Sequence, residues 1–141
     1  MRTAFQEFNQ VMGQLESVYH EAAVKMGLSD SEFWILYSLA IHEEGCCQSQ
    51  LCRETGMTKT TVNSALKKMK RDGLLETAPG AGRTLRITLT PQGRDRAEHT
   101  VCPLIRRENQ IYDSWPPEQT AALIRLNRDL AAQLSSLVKS L

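Results

Sequence analysis

Gln48-Ser49-Gln50-Leu51-Cys52-Arg53-Glu54-Thr55-Gly56-Met57-Thr58-Lys59-Thr60-Thr61-Val62-Asn63-Ser64-Ala65-Leu66-Lys67-Lys68-Met69-Lys70-Arg71-Asp72-Gly73 is the stretch that decides the fold. A short helix from about Gln48 to Thr55 is stopped by Gly56. Thr58 then offers a hydroxyl to the free N–H groups of a second helix, about Lys59 to Asp72. Gly73 supplies the left-handed residue that ends it. A short helix, a glycine turn and a second helix make a helix-turn-helix, whose second helix reads DNA in the major groove.

On a helical wheel the second helix has two faces. Val62, Ala65, Leu66 and Met69 form an apolar one that must pack inward. Thr60, Asn63, Ser64, Lys67 and Arg71 form the other. Small hydrogen-bonding side chains let a helix lie deep in a groove, and the cations beyond them meet phosphates. A merely solvated face is usually rich in glutamate, and this one has none.

Downstream, Leu74–Ala78 and Leu85–Leu89 read as two strands. In the second, Leu85, Ile87 and Leu89 alternate with Arg86 and Thr88, the period of a half-buried strand. Pro79-Gly80-Ala81-Gly82-Arg83-Thr84 between them is a hairpin tip. An arginine at such a tip can enter a narrow A·T-rich minor groove, and Arg86, facing outward, is expected on phosphate. Arg94 and Arg96 are open between phosphate contact and plain solvation.

Four more helices flank this core. One runs from about Thr3 to Met26 and ends at Gly27. The next starts at Ser29, where Ser29 and Glu32 have capping-box spacing, and closes at Gly45. Thr90-Pro91 begins a long helix to about Asp113, with Pro103 expected to kink it. After Trp115-Pro116-Pro117 a last helix runs from about Glu118 to Lys139, with a stripe of Leu123, Leu126 (or Ile124), Leu130, Leu134 and Leu137. The expected fold is therefore mainly α with one small β-hairpin: a winged helix-turn-helix with six helices in all. Residues 1–141 form a single domain, with 29–90 the DNA-binding region and 1–27 and 91–141 a helical dimerisation region.

Charge is distributed to match. The chain of 141 residues has net charge +1, yet residues 53–96 hold ten bases and four acids, so that segment is +6 and the remainder −5. A basic middle between acidic ends suits a polyanion-binding module. No apolar run approaches the roughly 18 residues of a membrane span, and Met1–Glu7 lacks the apolar core of a signal peptide. A cytoplasmic protein without membrane association is expected.

Three strings resemble the multiple-antibiotic-resistance regulators, the MarR family of bacterial transcription factors. Gln48–Val62 is similar to its helix-turn-helix, Lys68-Met69-Lys70-Arg71-Asp72-Gly73-Leu74-Leu75 to the exit from its recognition helix, and Gly82-Arg83 with Ile87-Thr88-Leu89-Thr90-Pro91-Gln92-Gly93 to its wing and next helix. Wings of the family often carry an acid two residues before the arginine, where this chain has Ala81. The resemblance implies a homodimeric regulator, expected to be a repressor, on an inverted-repeat operator in double-stranded DNA. It also implies release by a small aromatic or anionic effector that changes the spacing of the two recognition helices.

The residues expected at DNA are Ser49, Thr58, Lys59, Thr60, Thr61, Asn63, Ser64, Lys67, Lys68, Arg83 and Arg86. Asparagine suits adenine and a threonine methyl suits thymine, so the operator is expected to lean to A·T. Lys68 is expected on phosphate. No phosphate loop, GxSxG or HExxH motif is present, and His20, His42 and His99 are scattered, so neither catalysis nor a cofactor is expected. The alternative is a redox- or metal-responsive regulator of the same fold, built on His42, Cys46, Cys47 and Cys52, with Cys102 apart. Against it, Cys52 is expected to be a packed thiol in the first helix of the motif, and the reactive cysteine of oxidant-sensing relatives lies in helix one, where this chain has none.

Overall fold

The computed structural model describes residues 1–141. Its elements are α1 (Ala4–Met26), α2 (Asp30–Ile41), α3 (Gln48–Thr55), α4 (Lys59–Arg71), β1 (Leu75–Pro79), β2 (Leu85–Leu89), α5 (Pro91–Glu98), α6 (Val101–Asp113) and α7 (Pro117–Lys139). It is mainly α with one antiparallel hairpin, as the sequence implies, but with seven helices instead of six. No helix is long and apolar enough to cross a membrane.

The extra helix comes from a break at His99–Thr100. Pro103 cannot donate to the carbonyl of His99, and its ring would clash there in a continuous helix. The chain therefore stops and restarts, leaving Pro103 as the third residue of α6, where an N–H has no intrahelical partner to lose. Two side chains seal the end of α5: the Thr100 hydroxyl donates to the Arg96 carbonyl at 2.6 Å, and His99 Nδ1 donates to that of Asp95 at 2.8 Å.

The chain divides into two compact units, Met1–Pro103 and Leu104–Leu141. In the first, Phe33, Ile35, Leu36, Leu51, Val62, Met69 and Val101 are fully buried. Their burial follows the apolar stripes: Phe33 and Leu36 belong to α2, Leu51 to α3, Val62 and Met69 to α4. Packing these three helices on one another builds the helix-turn-helix. Ser29 caps α2 by accepting from the Glu32 N–H at 3.2 Å, while the full reciprocal box forms at Thr3 and Gln6 of α1.

β1 and β2 pair in register from Leu75 opposite Leu89 to Pro79 opposite Leu85. The wing is tied to the motif by a third short strand segment: Cys46 and Ile87 exchange both backbone hydrogen bonds, at 2.8 and 3.1 Å. Expected alternation holds at Ile87 and Leu89, both buried, but Leu85 near the tip is 57% exposed because nothing covers the hairpin there.

The second unit holds most of α6 and all of α7. No residue of α7 is buried, and Leu123, Ile124, Leu126, Leu134, Leu137 and Val138 are exposed along it. Tyr112 and Trp115 pack against each other with centroids 5.1 Å apart and ring planes tilted by 57°. In the first unit α1 likewise exposes Phe5, Val11, Met12, Leu15 and Val18 at helical spacing.

Candidate nucleic-acid interface

Thr58 sets the start of α4: its Oγ1 accepts from the Thr61 N–H at 3.2 Å and donates to Thr61 Oγ1 at 3.0 Å. From that cap the helix follows the wheel. Val62, Ala65, Leu66 and Met69 are buried, while Thr60, Thr61, Asn63, Ser64, Lys67 and Arg71 are exposed. The outward face thus has short polar side chains in its first turns and cations later.

A groove of about 880 Å³ runs between α3, α4 and the wing. Ser49, Lys59, Asn63, Lys67 and Arg83 all line it, so the structure brings these five together from three elements. Gln48, Arg53, Lys70, Thr77 and Thr84 line it as well, and none of them is among the residues expected at DNA; three of these, Gln48, Arg53 and Lys70, lie on the two helices of the motif. Their signal was there. Arg53 stands four residues after Ser49, and Lys59, Asn63, Lys67 and Lys70 follow at steps of four, four and three, one continuous strip of a helix. Gln48 also donates to the Lys59 carbonyl at 3.4 Å, joining the two helices of the motif.

The groove's electrostatics are one-sided. Arg53, Lys59, Lys67, Lys70 and Arg83 line it, with no carboxylate among the lining residues. Its floor is apolar, from Leu66, Leu75, Leu85 and Ile87. Low-dielectric walls around like charges focus a positive potential outward, toward a polyanion.

At the wing tip, Gly80 N–H donates to the Thr84 carbonyl at 3.0 Å, and the Thr84 N–H and hydroxyl both return to that of Ala81. This closed turn, with Gly82 at φ +63°, holds Arg83 out into solvent between two anchored residues. Arg86 is exposed on β2 but does not line the groove.

Lys68 and Arg96 of the basic segment both make contacts within the chain. Lys68 pairs with Glu32 and Asp72, at 3.2 and 3.1 Å. Arg96 donates from Nη2 to the Met26 carbonyl at 2.7 Å, capping the C-terminus of α1.

The thiols also depart from expectation. Cys52 is only half-buried and lines the groove; Leu51 beside it is the fully buried residue, and the buried thiol is Cys46. Cys102 is half-buried. Nowhere do three His, Cys, Asp or Glu side chains converge as a metal site, and His42 Nε2 instead meets Glu54 at 2.6 Å.

Burial, aided by the nearby carboxylates of Glu54 and Glu44, pushes the Cys46 thiol up to about 11. The Ser49 hydroxyl, 3.1 Å from Cys47 Sγ, and the Gln50 N–H hold that thiol below its usual value. Thiolate is the nucleophile, so reactivity follows these shifts. With iodoacetamide at pH 8, Cys47 should label well before Cys46, of which only about one molecule in a thousand is ionised. Peptide mass mapping over time reads the order; simultaneous labelling would contradict the two environments.

Comparison with known proteins agrees with this geometry. Residues 26–84, from the end of α1 through the wing tip, match the model of the MarR family. No curated protein matches the chain. Among solved structures, a MarR family regulator from Neisseria meningitidis superposes with a TM-score of 0.85 at 18% identity, over 99% of each chain. The M. tuberculosis transcriptional regulator MOSR, solved in complex with DNA, is 25% identical over 93% of this chain and 98% of its own, with a TM-score of 0.61. Bordetella bronchiseptica BpsR, whose DNA binding is regulated by 6-hydroxynicotinic acid, is 16% identical over 92% and 94%, with a TM-score of 0.66. Residues 26–84 thus match the MarR family model, and the fold over the whole length is that of solved MarR family regulators.

Proposed function

We propose that the protein is a sequence-specific DNA-binding repressor that acts as a homodimer on an inverted repeat and is released by a small effector. One observation carries the DNA-binding part: the polar outward face of α4 and the wing arginine frame a single acid-free cationic groove. Asn63, Thr60 and Ser64 read bases, with an A·T preference, and Lys67 reaches a guanine or a phosphate. Arg53, Lys59 and Lys70 hold the backbone, while Arg83 enters the adjacent minor groove. The solved complex of MOSR with DNA supports this reading.

Dimerisation is supported by the apolar stripes left exposed on α1 and α7. Two copies then place their recognition helices about one helical turn apart, roughly 34–36 Å. For the effector, a cavity of about 400 Å³ is lined by Leu39, Ala40, Leu89, Ala97 and Cys102, with Glu43, Arg94 and Glu98 as its charged residues. That size suits a small aromatic molecule whose ring meets the apolar residues, with Arg94 the one cation beside the two carboxylates. The regulation of BpsR by 6-hydroxynicotinic acid supports the ligand class.

Fluorescence anisotropy with DNA from upstream of the gene tests the proposal. Specific binding should exceed that to random duplex by about a thousandfold or more. Arg83→Ala should weaken it by about 1–3 kcal/mol at fixed salt, with melting temperature unchanged because the tip makes few packing contacts. Equal affinity for operator and random DNA would overturn the reading as a whole, and an unaltered Kd for Arg83→Ala would remove the minor-groove contact.

A further inference from the structure

Glu32 is a carboxylate in the first turn of α2 with a side chain only 11% exposed, and the DNA face makes no use of it. A charge so far out of water needs partners. It has two: the Ser29 hydroxyl, which donates at 3.0 Å, and the Lys68 ammonium, at 3.2 and 3.3 Å from its two oxygens. Lys68 also reaches Asp72, four residues on, at 3.1 Å. Asp72 first, then Glu32, hold the lysine above its usual pKa.

Position on the helix matters as much as distance. At 3.6 residues per turn Lys68 lies about 100° around from Lys67. Lys67, Asn63, Lys59 and Lys70 line the groove; Lys68 does not. It leaves α4 on the opposite flank, toward α2. The ion pair therefore joins the last turn of the recognition helix to the first turn of α2, three residues after the Gly27 break that ends α1.

We propose that Glu32, Lys68 and Asp72 form a clamp that sets the tilt of α4 against α2, and that Lys68 is a positioning residue for DNA recognition, not a phosphate contact. This inference rests on the DNA-binding reading above. Thr60 lies eight residues, about 12 Å, from Lys68 along the helix, so a tilt of about 5° at the clamped end moves it by about 1 Å. Hydrogen bonds to base edges do not survive such a shift. Binding to non-specific DNA, which depends on charge and little on register, does.

The charge of Glu32 makes the test sharp. Removing an anion near a polyanion site tightens DNA binding when charge alone is at work. The clamp requires the reverse. Full-length Glu32→Gln, Lys68→Gln, Lys68→Arg and the Glu32→Gln/Lys68→Gln pair are titrated against operator and random duplex at several salt concentrations, below the melting temperature of each. Both single glutamine variants should lose about tenfold in operator affinity, keep their affinity for random duplex within twofold and keep the wild-type salt slope. The pair should be no weaker than either single variant, and Lys68→Arg should regain most of the loss. Tighter binding by Glu32→Gln, or a salt slope lowered by about one in Lys68→Gln, would overturn the clamp; so would a lowered melting temperature with unchanged operator affinity. If wild-type protein does not tell operator from random DNA, the DNA-binding reading itself fails, a result separable from all of these.

Discussion

Deleting Glu118–Leu141 should abolish tight operator binding and leave a chain that is monomeric or aggregated. The deletion removes nearly all of α7, a helix of 23 residues with no buried residue. Its exposed Leu123, Ile124, Leu126, Leu134, Leu137 and Val138 make an apolar surface larger than a lone soluble helix carries. Most helical stability in proteins comes from packing an apolar face, so such a helix needs a surface to pack against. A second copy of the same surface is the self-complementary solution of a two-fold dimer. The consequence for DNA is arithmetic. Two linked recognition helices bind the second half-site as an intramolecular step, and a monomer loses that advantage. Affinity should fall by about a thousandfold, from the specific range toward the non-specific one. Sedimentation velocity gives the mass, and anisotropy on the inverted repeat gives the Kd. Leu126→Asp with Leu137→Asp should produce the same pair of changes without shortening the chain. A truncated monomer that binds the repeat as tightly as the full chain would remove the dimer from the mechanism.

Local signals carried most of the fold. Gly27 and Gly56, which end α1 and α3, both take positive φ, and α3 runs from Gln48 to Thr55 as their spacing implies. Ser29, Thr58 and Thr90 each cap the helix they precede, because a hydroxyl at that position satisfies an otherwise free N–H. The wheel of α4 separated its buried from its exposed residues correctly because a period of 3.6 is a property of the backbone.

What was not legible depends on tertiary partners. Nothing near Lys68 in sequence reveals Glu32, 36 residues earlier, so its ion pair has no local signal. Arg96, open between phosphate contact and solvation on the sequence alone, serves a carbonyl 70 residues away. The packed thiol is Cys46 and not Cys52 for a similar reason: the pairing of Cys46 with Ile87 buries the loop residue, and no local pattern announces a strand segment of one residue. The break at His99–Thr100 was visible in part, through Pro103, but proline forbids a helix upstream of itself instead of bending it at its own position.

Gly93→Ala should be the most destabilising single-methyl substitution in the winged unit, by about 3 kcal/mol or more. Gly93 is the third residue of α5, and its N–H donates to the Thr90 hydroxyl at 3.0 Å. That hydroxyl in turn donates to the Gly73 carbonyl at 2.5 Å, and the Thr90 N–H donates to that of Leu74 at 3.1 Å. The start of α5 is thereby drawn onto the backbone at the base of the wing. A Cβ on residue 93 would lie 1.9 Å from the Leu74 carbonyl oxygen and 2.9 Å from its carbon, both backbone atoms that cannot swing aside. Leu89 Cδ2, at 3.2 Å, closes the other direction. Either α5 lifts or the β1 end of the wing shifts, and both moves displace Arg83 from its place beside α4. The melting temperature should drop by on the order of 10 °C, and operator affinity should fall with it. Gly13→Ala is the matched control, the same added methyl in the middle of α1, where the new Cβ meets nothing within 4 Å. There a helical alanine should stabilise by about 0.5–1 kcal/mol, so one substitution type moves the melting temperature in opposite directions at two sites. An unchanged melting temperature for Gly93→Ala would show that α5 and the wing base are not packed at the distance that makes this glycine necessary.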